Sequence, residues 1–414
     1  MASTFRGRAE RLRNAILEHA KKVDRRRGHA QPRSYGENEI PPIYGPSCFW
    51  HILPVELAIK IFSQCCLSDL TALQQVCRAF HELLTANEQI ISREYLLFQR
   101  HGTLPSAIDR RKVHSREPKD LMILVSDLFL PPNNGHNTNL YTFRYLHKLQ
   151  LRLKVCDKLS YYLADQVMDR YMENNPPSKS LFGSRNGRKA VQQQARGLLQ
   201  FKLTPLLIYA HYFLETYSKA RANLHDALYM DYDAGRLPVP IQPRDRSAIY
   251  HRLQKDILES PPFTNASTLI STHHCMMLLI SYLRYNIPHS SENWISMMLI
   301  SSGLGRIVEL FAAEKGDEGN RRQKRKQFMQ SMQLDWIANE REEKASKIFS
   351  GPHGPQETPS FPPPVPEIWL EAADYQIRNR PLEHTSSDYI TFWDDARLNL
   401  GCQYCMGNTE GYWV

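Results

Sequence analysis

"LPVELAIKIFSQCCLSDLTALQQVCRAFHELL" runs from Leu53 to Leu84, and the spacing of its apolar residues decides how the rest of the chain is read. Pro54 sits well at a helix start, because the N–H it lacks would have no intrahelical partner there. Glu56 follows in the first turn, where a carboxylate meets the positive end of the helix dipole. Leu53, Leu57, Ile61 and Cys65 then recur every four residues and form one helical stripe, bordered by Phe62. Asp69 offers a second start, after which Leu70, Leu73, Val76, Cys77, Phe80, Leu83 and Leu84 keep helical spacing. About forty residues of this kind are too few to close a core of their own. Part of the apolar face has to pack elsewhere, on the chain's own helices or on another protein.

The order Leu53-Pro54-x-Glu56, Ile61-Phe62, Asp69-Leu70, Leu73, Val76-Cys77-Arg78, Phe80, Leu83 closely resembles the F-box motif, in spacing as well as in residue type. Phe80 stands where many members have Trp and Cys65 where Leu is common; both stay apolar. The resemblance covers roughly a tenth of the chain. It implies three small helices that dock on the Skp-type adaptor of SCF ubiquitin ligases. It also implies that Leu53, Pro54, Glu56, Leu57, Ile61, Phe62, Leu70, Leu73, Val76 and Cys77 form or support the adaptor-binding surface. The chain would then be a non-catalytic adaptor, joined through the Skp-type protein to a cullin–RING arm and presenting a protein substrate that the sequence does not name. The remainder has no WD, leucine-rich or kelch signature, and in this the chain looks similar to helical F-box proteins of filamentous fungi.

Beyond this segment the pattern is helical. "EPKDLMILVSDLFLPP" (Glu117–Pro132) places Leu121, Leu124, Val125, Leu128 and Phe129 on one face, with Pro118 in the first turn. Between Tyr141 and Glu173, Leu146, Leu149, Leu153, Cys156, Leu159, Leu163 and Val167 mark one stripe of a long helix. Ala190–Ala234 reads as one or two helices, and Ser247–Glu259, Thr268–Tyr285, Trp294–Ala313 and Arg321–Phe349 as one each. Convincing strand alternation is nearly absent. The expected fold is mostly α, an N-terminal three-helix F-box followed by a large irregular all-α domain. The expected divisions are a basic, poorly ordered arm at 1–45, the F-box at 46–100 and a helical substrate-recognition domain at 105–349. A Pro-rich linker at 350–366 and a short helical tail at 367–414 complete the chain.

Composition narrows the class. The 414 residues are 42% hydrophobic and 23% charged, ordinary for a soluble globular protein. A net charge of +9, from 52 basic against 43 acidic residues, is mild over this length. The eight cysteines are scattered, and several lie inside apolar helical patterns, which suits a reducing compartment. No secretory signal is read at the start, and Glu10, Glu18 and Asp24 argue against a mitochondrial presequence. The expected location is cytoplasm and/or nucleus, which leaves the glycosylation triplet Asn265-Ala266-Ser267 idle. The longest apolar run, around Cys275–Leu283, is shorter than the ~20 residues a membrane span needs.

Other chemical signals are thin. Cys402-x-x-Cys405 supplies half the ligands of a structural zinc site, and reads as two free cysteines in a turn. His273-His274-Cys275 are adjacent and point different ways on a helix. His81-Glu82 begins a zinc-protease motif, but Thr85 occupies the place of its second His. Asp231–Gly235 reads as a helix end rather than a calcium loop. Spacing of the PxxP type at Pro359–Pro362 and Pro363–Pro366 fits a stiff linker. No metal or cofactor is expected, and the absence of a P-loop, a dinucleotide fingerprint and a GxSxG elbow leaves no catalytic residue to name without excluding an enzyme whose site is dispersed. The densest basic run, Arg321, Arg322, Lys324, Arg325 and Lys326, is either a solvated helix start, a nuclear-import signal or a nucleic-acid contact. The alternative to the adaptor reading is therefore a basic nuclear nucleic-acid-binding or scaffolding protein.

Overall fold

Pro54 and two extended residues, Cys66 (φ −67°, ψ 149°) and Cys77 (φ −157°, ψ 161°), cut the N-terminal segment into short helices. The computed structural model describes residues 53–101, 121–134, 138–174, 185–236, 243–286, 292–313, 318–340 and 367–379. The first helices are α1 (Val55–Phe62), α2 (Leu67–Val76), α3 (Arg78–Ala86) and α4 (Glu88–His101). Helix α1 packs on α4, and α2 on α3. They continue into α5 (Leu121–Leu128) and the long helices α6 (Phe143–Asn174) and α7 (Arg185–Asp233). The fold is mostly α. The described residues include one two-residue ladder, Asn133–Asn134 antiparallel to Thr138–Asn139.

Helices α6 and α7 form the spine. Their cross-links ascend one helix while descending the other, which makes them antiparallel. Arg152 grips Glu215 through two hydrogen bonds of 2.8 and 2.6 Å, Ser160 meets Thr204 at 2.8 Å, and Gln200 donates to Asp157 at 3.0 Å. Arg196 pairs with Asp165 at 2.5 Å, and Gln192 donates to Asp169 at 3.1 Å. Of the α6 stripe, Leu146, Leu149, Cys156, Leu159, Leu163 and Val167 are buried, as the spacing predicts, while Leu153 is half-buried. The run expected as one or two helices is a single one, α7 (Arg185–Asp233), and Pro205 lies inside it. It ends at Gly235, whose φ of +67° suits a residue without a Cβ. There Gly235 N–H donates to the Tyr232 carbonyl (3.0 Å) and Arg236 N–H to that of Asp231 (2.8 Å), a Schellman closure.

The body is completed by α8 (Pro243–Leu258), α9 (Ala266–Asn286), α10 (Glu292–Met297), α11 (Gly303–Ala313), α12 (Glu318–Glu340) and α13 (Leu370–Asn379). Trp294–Ala313, expected as one helix, is interrupted by a π-type turn at Met298–Ser302 and by Gly303 at φ +62°. Helix α9 is buried along Leu269, Cys275, Met276, Leu279 and Leu283. No single helix among the described residues is long and apolar enough to cross a membrane. Residues 367–379, separated from the body in sequence by the Pro-rich stretch, pack against α8 and α9.

Candidate adaptor-docking surface

Helix α1 is apolar on two faces. Ala58, Ile59 and Phe62 turn inward, and the Phe62 ring meets Phe80 of α3 edge-on at 6.2 Å. Leu57 and Ile61, one turn apart, turn outward and keep 48% and 37% of their surface in water. In α2, Leu67 and Leu70 are buried, while Val76 at the far end is 66% exposed. In α3, Leu84 is buried and Phe80 and Leu83 are half-buried. The inward set is thus satisfied without the outward set. Leu57, Ile61 and Val76 therefore remain as large apolar side chains at the surface of these short helices.

The predicted docking residues divide between these two roles. Leu57, Ile61 and Val76 lie at the surface, with Glu56 and Cys77 exposed beside them in sequence and Leu73 half-buried. Pro54 is exposed and Leu53 half-buried; both precede the unit that begins at Val55. Phe62 and Leu70 are each 1% exposed, so they brace the helices from inside and cannot themselves meet a partner. Inspection of the sequence missed Val55, which is exposed, and Ile90 and Leu97 of α4, which are exposed one above the other at a spacing of seven. Their signal was the second apolar stripe in "EQIISREYLLF". The second helix begins at Leu67, two residues before the expected Asp69, because the extended Cys66 already starts it.

The surface is anchored to the body. Helix α4 packs on α5 and, with α2, touches α6. Glu88 of α4 accepts a 2.6 Å hydrogen bond from the Phe143 N–H, the first residue of α6. That N–H has no partner within its own helix, so a carboxylate from another helix caps it.

The Cys65 thiol donates to the Ile61 carbonyl (3.4 Å), and burial, helped by Asp69 and Cys66, pushes its pKa up to about 11. At neutral pH it is a protonated thiol and a poor nucleophile. His81 and Glu82 are exposed on α3. His273, His274 and Cys275 lie buried within α9. Among the described residues no cluster of His, Cys, Asp or Glu could hold a metal ion. Cys402 and Cys405 lie outside the described residues. In the basic run, Arg322, Lys324 and Lys326 of α12 are exposed and Arg325 is half-buried; Arg321 belongs to the same helix.

A family model for the F-box-like domain matches residues 50–91. The chain carries an F-box-like domain. Its span takes in α1, α2, α3 and the start of α4, the helices with the divided apolar faces. An F-box-like domain carries a general adaptor role, binding to a Skp-type protein, and ubiquitin-ligase adaptors are its usual setting. Comparison of the chain with curated proteins and with solved structures returned no match.

Proposed function

We propose that this protein is a substrate-recognition adaptor of an SCF-type cullin–RING ubiquitin ligase. The outward residues of α1 and α2 dock on the Skp-type adaptor, and the helical body holds a protein target. The supporting observation is the divided face of α1: an inner set that closes the fold and an outer Leu57/Ile61 set left for a partner. Such docking is a helix-in-groove contact, driven by the apolar area it removes from water. The adaptor does no chemistry itself. It turns the encounter of a target with a charged ubiquitin carrier into an effectively intramolecular one. Cytoplasm, nucleus or both would serve this role.

Co-expression with a Skp-type adaptor tests the reading. The wild-type chain should co-purify with it as a stable complex, and the double change Leu57→Asp with Ile61→Asp should abolish that complex while helical content stays intact. A complex that survives the double change at wild-type affinity rejects the proposal. The basic α12 run supports a second reading, nucleic-acid binding, through the exposure of Arg322, Lys324 and Lys326. That reading requires binding at low salt that falls steeply as salt rises.

A further inference from the structure

The segment 367–379 is held by residues far from it in sequence. The Trp369 indole is fully buried, edge-on to Phe213 at 4.7 Å and to Phe263 at 5.5 Å. The backbone beside it is read by side chains. Gln254, itself fully buried, donates to the Glu367 carbonyl (3.1 Å) and accepts from the Trp369 N–H (2.8 Å). The Ile368 N–H donates to Ser296 Oγ (3.3 Å). A glutamine that reads both the C=O and the N–H of a passing segment holds it in the manner of a peptide in a groove.

Helix α13 then lies along the groove. Ala372 and Ala373 are buried and small enough to bring it close. Glu371 faces His251 at 3.7 Å and Asp374 faces His273 at 3.5 Å, while Lys255 sits 4.3 Å over the Tyr375 ring. Gln376 donates to Glu259 at 2.9 Å. The occupant does not fit without cost. Trp369 is held at φ +74°, a region disfavoured for a residue with a Cβ, and its buried indole N–H finds no acceptor among the described residues. Strain of this kind persists where the surroundings dictate the conformation. Here it indicates a groove that shapes its occupant.

We propose that the groove walled by α8 and α9, with Phe213 of α7 and Ser296 of α10 at its head, is the body's peptide-recognition site, and that residues 367–379 occupy it as an intramolecular ligand. The external ligand shares their chemistry: a leading aromatic residue, then a short helix with acids two and five residues on. The inference rests on the reading of the body as the target-binding part. It adds that a target must displace the chain's own segment.

The experiment uses the full chain with a protease site inserted near Thr358, together with a labelled peptide of sequence Glu367–Asn379. Binding is measured by fluorescence anisotropy to the intact chain, the cleaved chain and full-length Trp369→Ala. The peptide should bind the cleaved chain and Trp369→Ala at least tenfold more tightly than the intact chain, and a peptide carrying Trp369→Ala should bind none. Absence of binding to all three, with helical circular dichroism retained, overturns the proposal. So does a Trp369→Ala chain that cannot fold combined with a cleaved chain that does not exchange, since the segment would then be fixed core. Adaptor pull-down reads the ligase assignment separately: an adaptor complex without peptide exchange discards the groove alone, and exchange without an adaptor complex discards the ligase alone.

Discussion

Helices α1 and α13 are of similar length, eight and ten residues, and both are too short to be stable alone in water. They acquire stability differently. Helix α13 and the turn before it put Ile368, Trp369, Ala372, Ala373 and Ile377 inside the body. Helix α1 buries only one of its two apolar faces. The difference separates two uses of hydrophobic surface. Where the apolar residues of a short helix all go inward, the chain's own body already covers them. Where half of them stay wet next to a satisfied inner half, the outer half is left for the partner proposed above.

The largest effect should come from the buried side of this comparison. Phe213→Ala removes the ring that meets Trp369 at 4.7 Å and stacks with Tyr217 at 6.1 Å. A buried Phe→Ala change costs about 3–5 kcal/mol through lost transfer energy and the cavity left behind. Thermal and urea unfolding should both show the loss, and adaptor binding should persist in whatever fraction stays folded. A cost below about 1 kcal/mol would mean that the Phe213–Trp369 contact is not core, since surface changes lie in that range.

Next are the two outward residues. Leu57→Asp or Ile61→Asp should alter stability by less than about 1 kcal/mol, because the side chain already meets water. The same changes should weaken the adaptor complex by about 2–4 kcal/mol, roughly 30- to 1,000-fold in Kd, since the charge would be buried unpaired. Unfolding curves and a titration with the purified adaptor measure the two numbers. Phe62→Ala is the internal control. It should damage stability first and binding only as a consequence, because Phe62 faces inward against Phe80.

How much of this was legible follows from the range of the interactions. The start of α1 after Pro54, the α6 stripe and the helix end at Gly235 are set by residues within a few positions of each other, and the sequence displays them. That Leu57 faces out while Phe62 faces in depends on which neighbour α1 meets, α4, and the stripe alone cannot reveal it. The break before Gly303 was missed because an apolar run reads the same through a π-type turn. The burial of Trp369 was hidden most deeply. Its partners Gln254 and Phe213 are more than a hundred residues away, and the intervening proline-rich stretch suggests a spacer.

A pH titration divides the molecule differently, through a charge cluster on the spine. His211 lies against the Phe129 ring, and its burial holds its pKa at about 4 despite the nearby Glu215. Burial alone would raise Glu215, but the hydrogen bond and charge of Arg152, with Lys219, bring it down to about 2. An exposed His takes up its proton near pH 6.5 and an exposed Glu near 4.5. The unfolded chain therefore binds more protons than the fold, first through His211 and then through Glu215. Stability should be full above pH 6.5, fall as pH drops towards 4, and fall further towards 2. Urea midpoints at pH 7, 5.5 and 4.5 should decline in order, and His211→Gln should flatten the first part of that decline.

The smallest effect contrasts two ion pairs of similar length. Arg78 and Glu82 on α3 meet at 2.7 Å with both side chains largely in water, four residues apart on one helix. Arg152 and Glu215 meet at 2.6 Å with less than a third of either side chain exposed, and they join α6 to α7. Distance alone would rank them equal; solvent ranks them far apart. The exposed pair is screened and loses side-chain entropy on forming, so Glu82→Gln should cost no more than about 0.5 kcal/mol. Glu215→Gln leaves the Arg152 guanidinium half-buried without its carboxylate and should cost several times as much, because an uncompensated charge away from water is the expensive state. Raising salt to about 1 M shortens the Debye length to ~3 Å and should erase the first cost but not the second. Equal costs at both sites would show that the N-terminal helices draw on their charges as the spine does. Their stability would then rest on more than the buried face of α1, and the outward leucine and isoleucine would be less free for a partner.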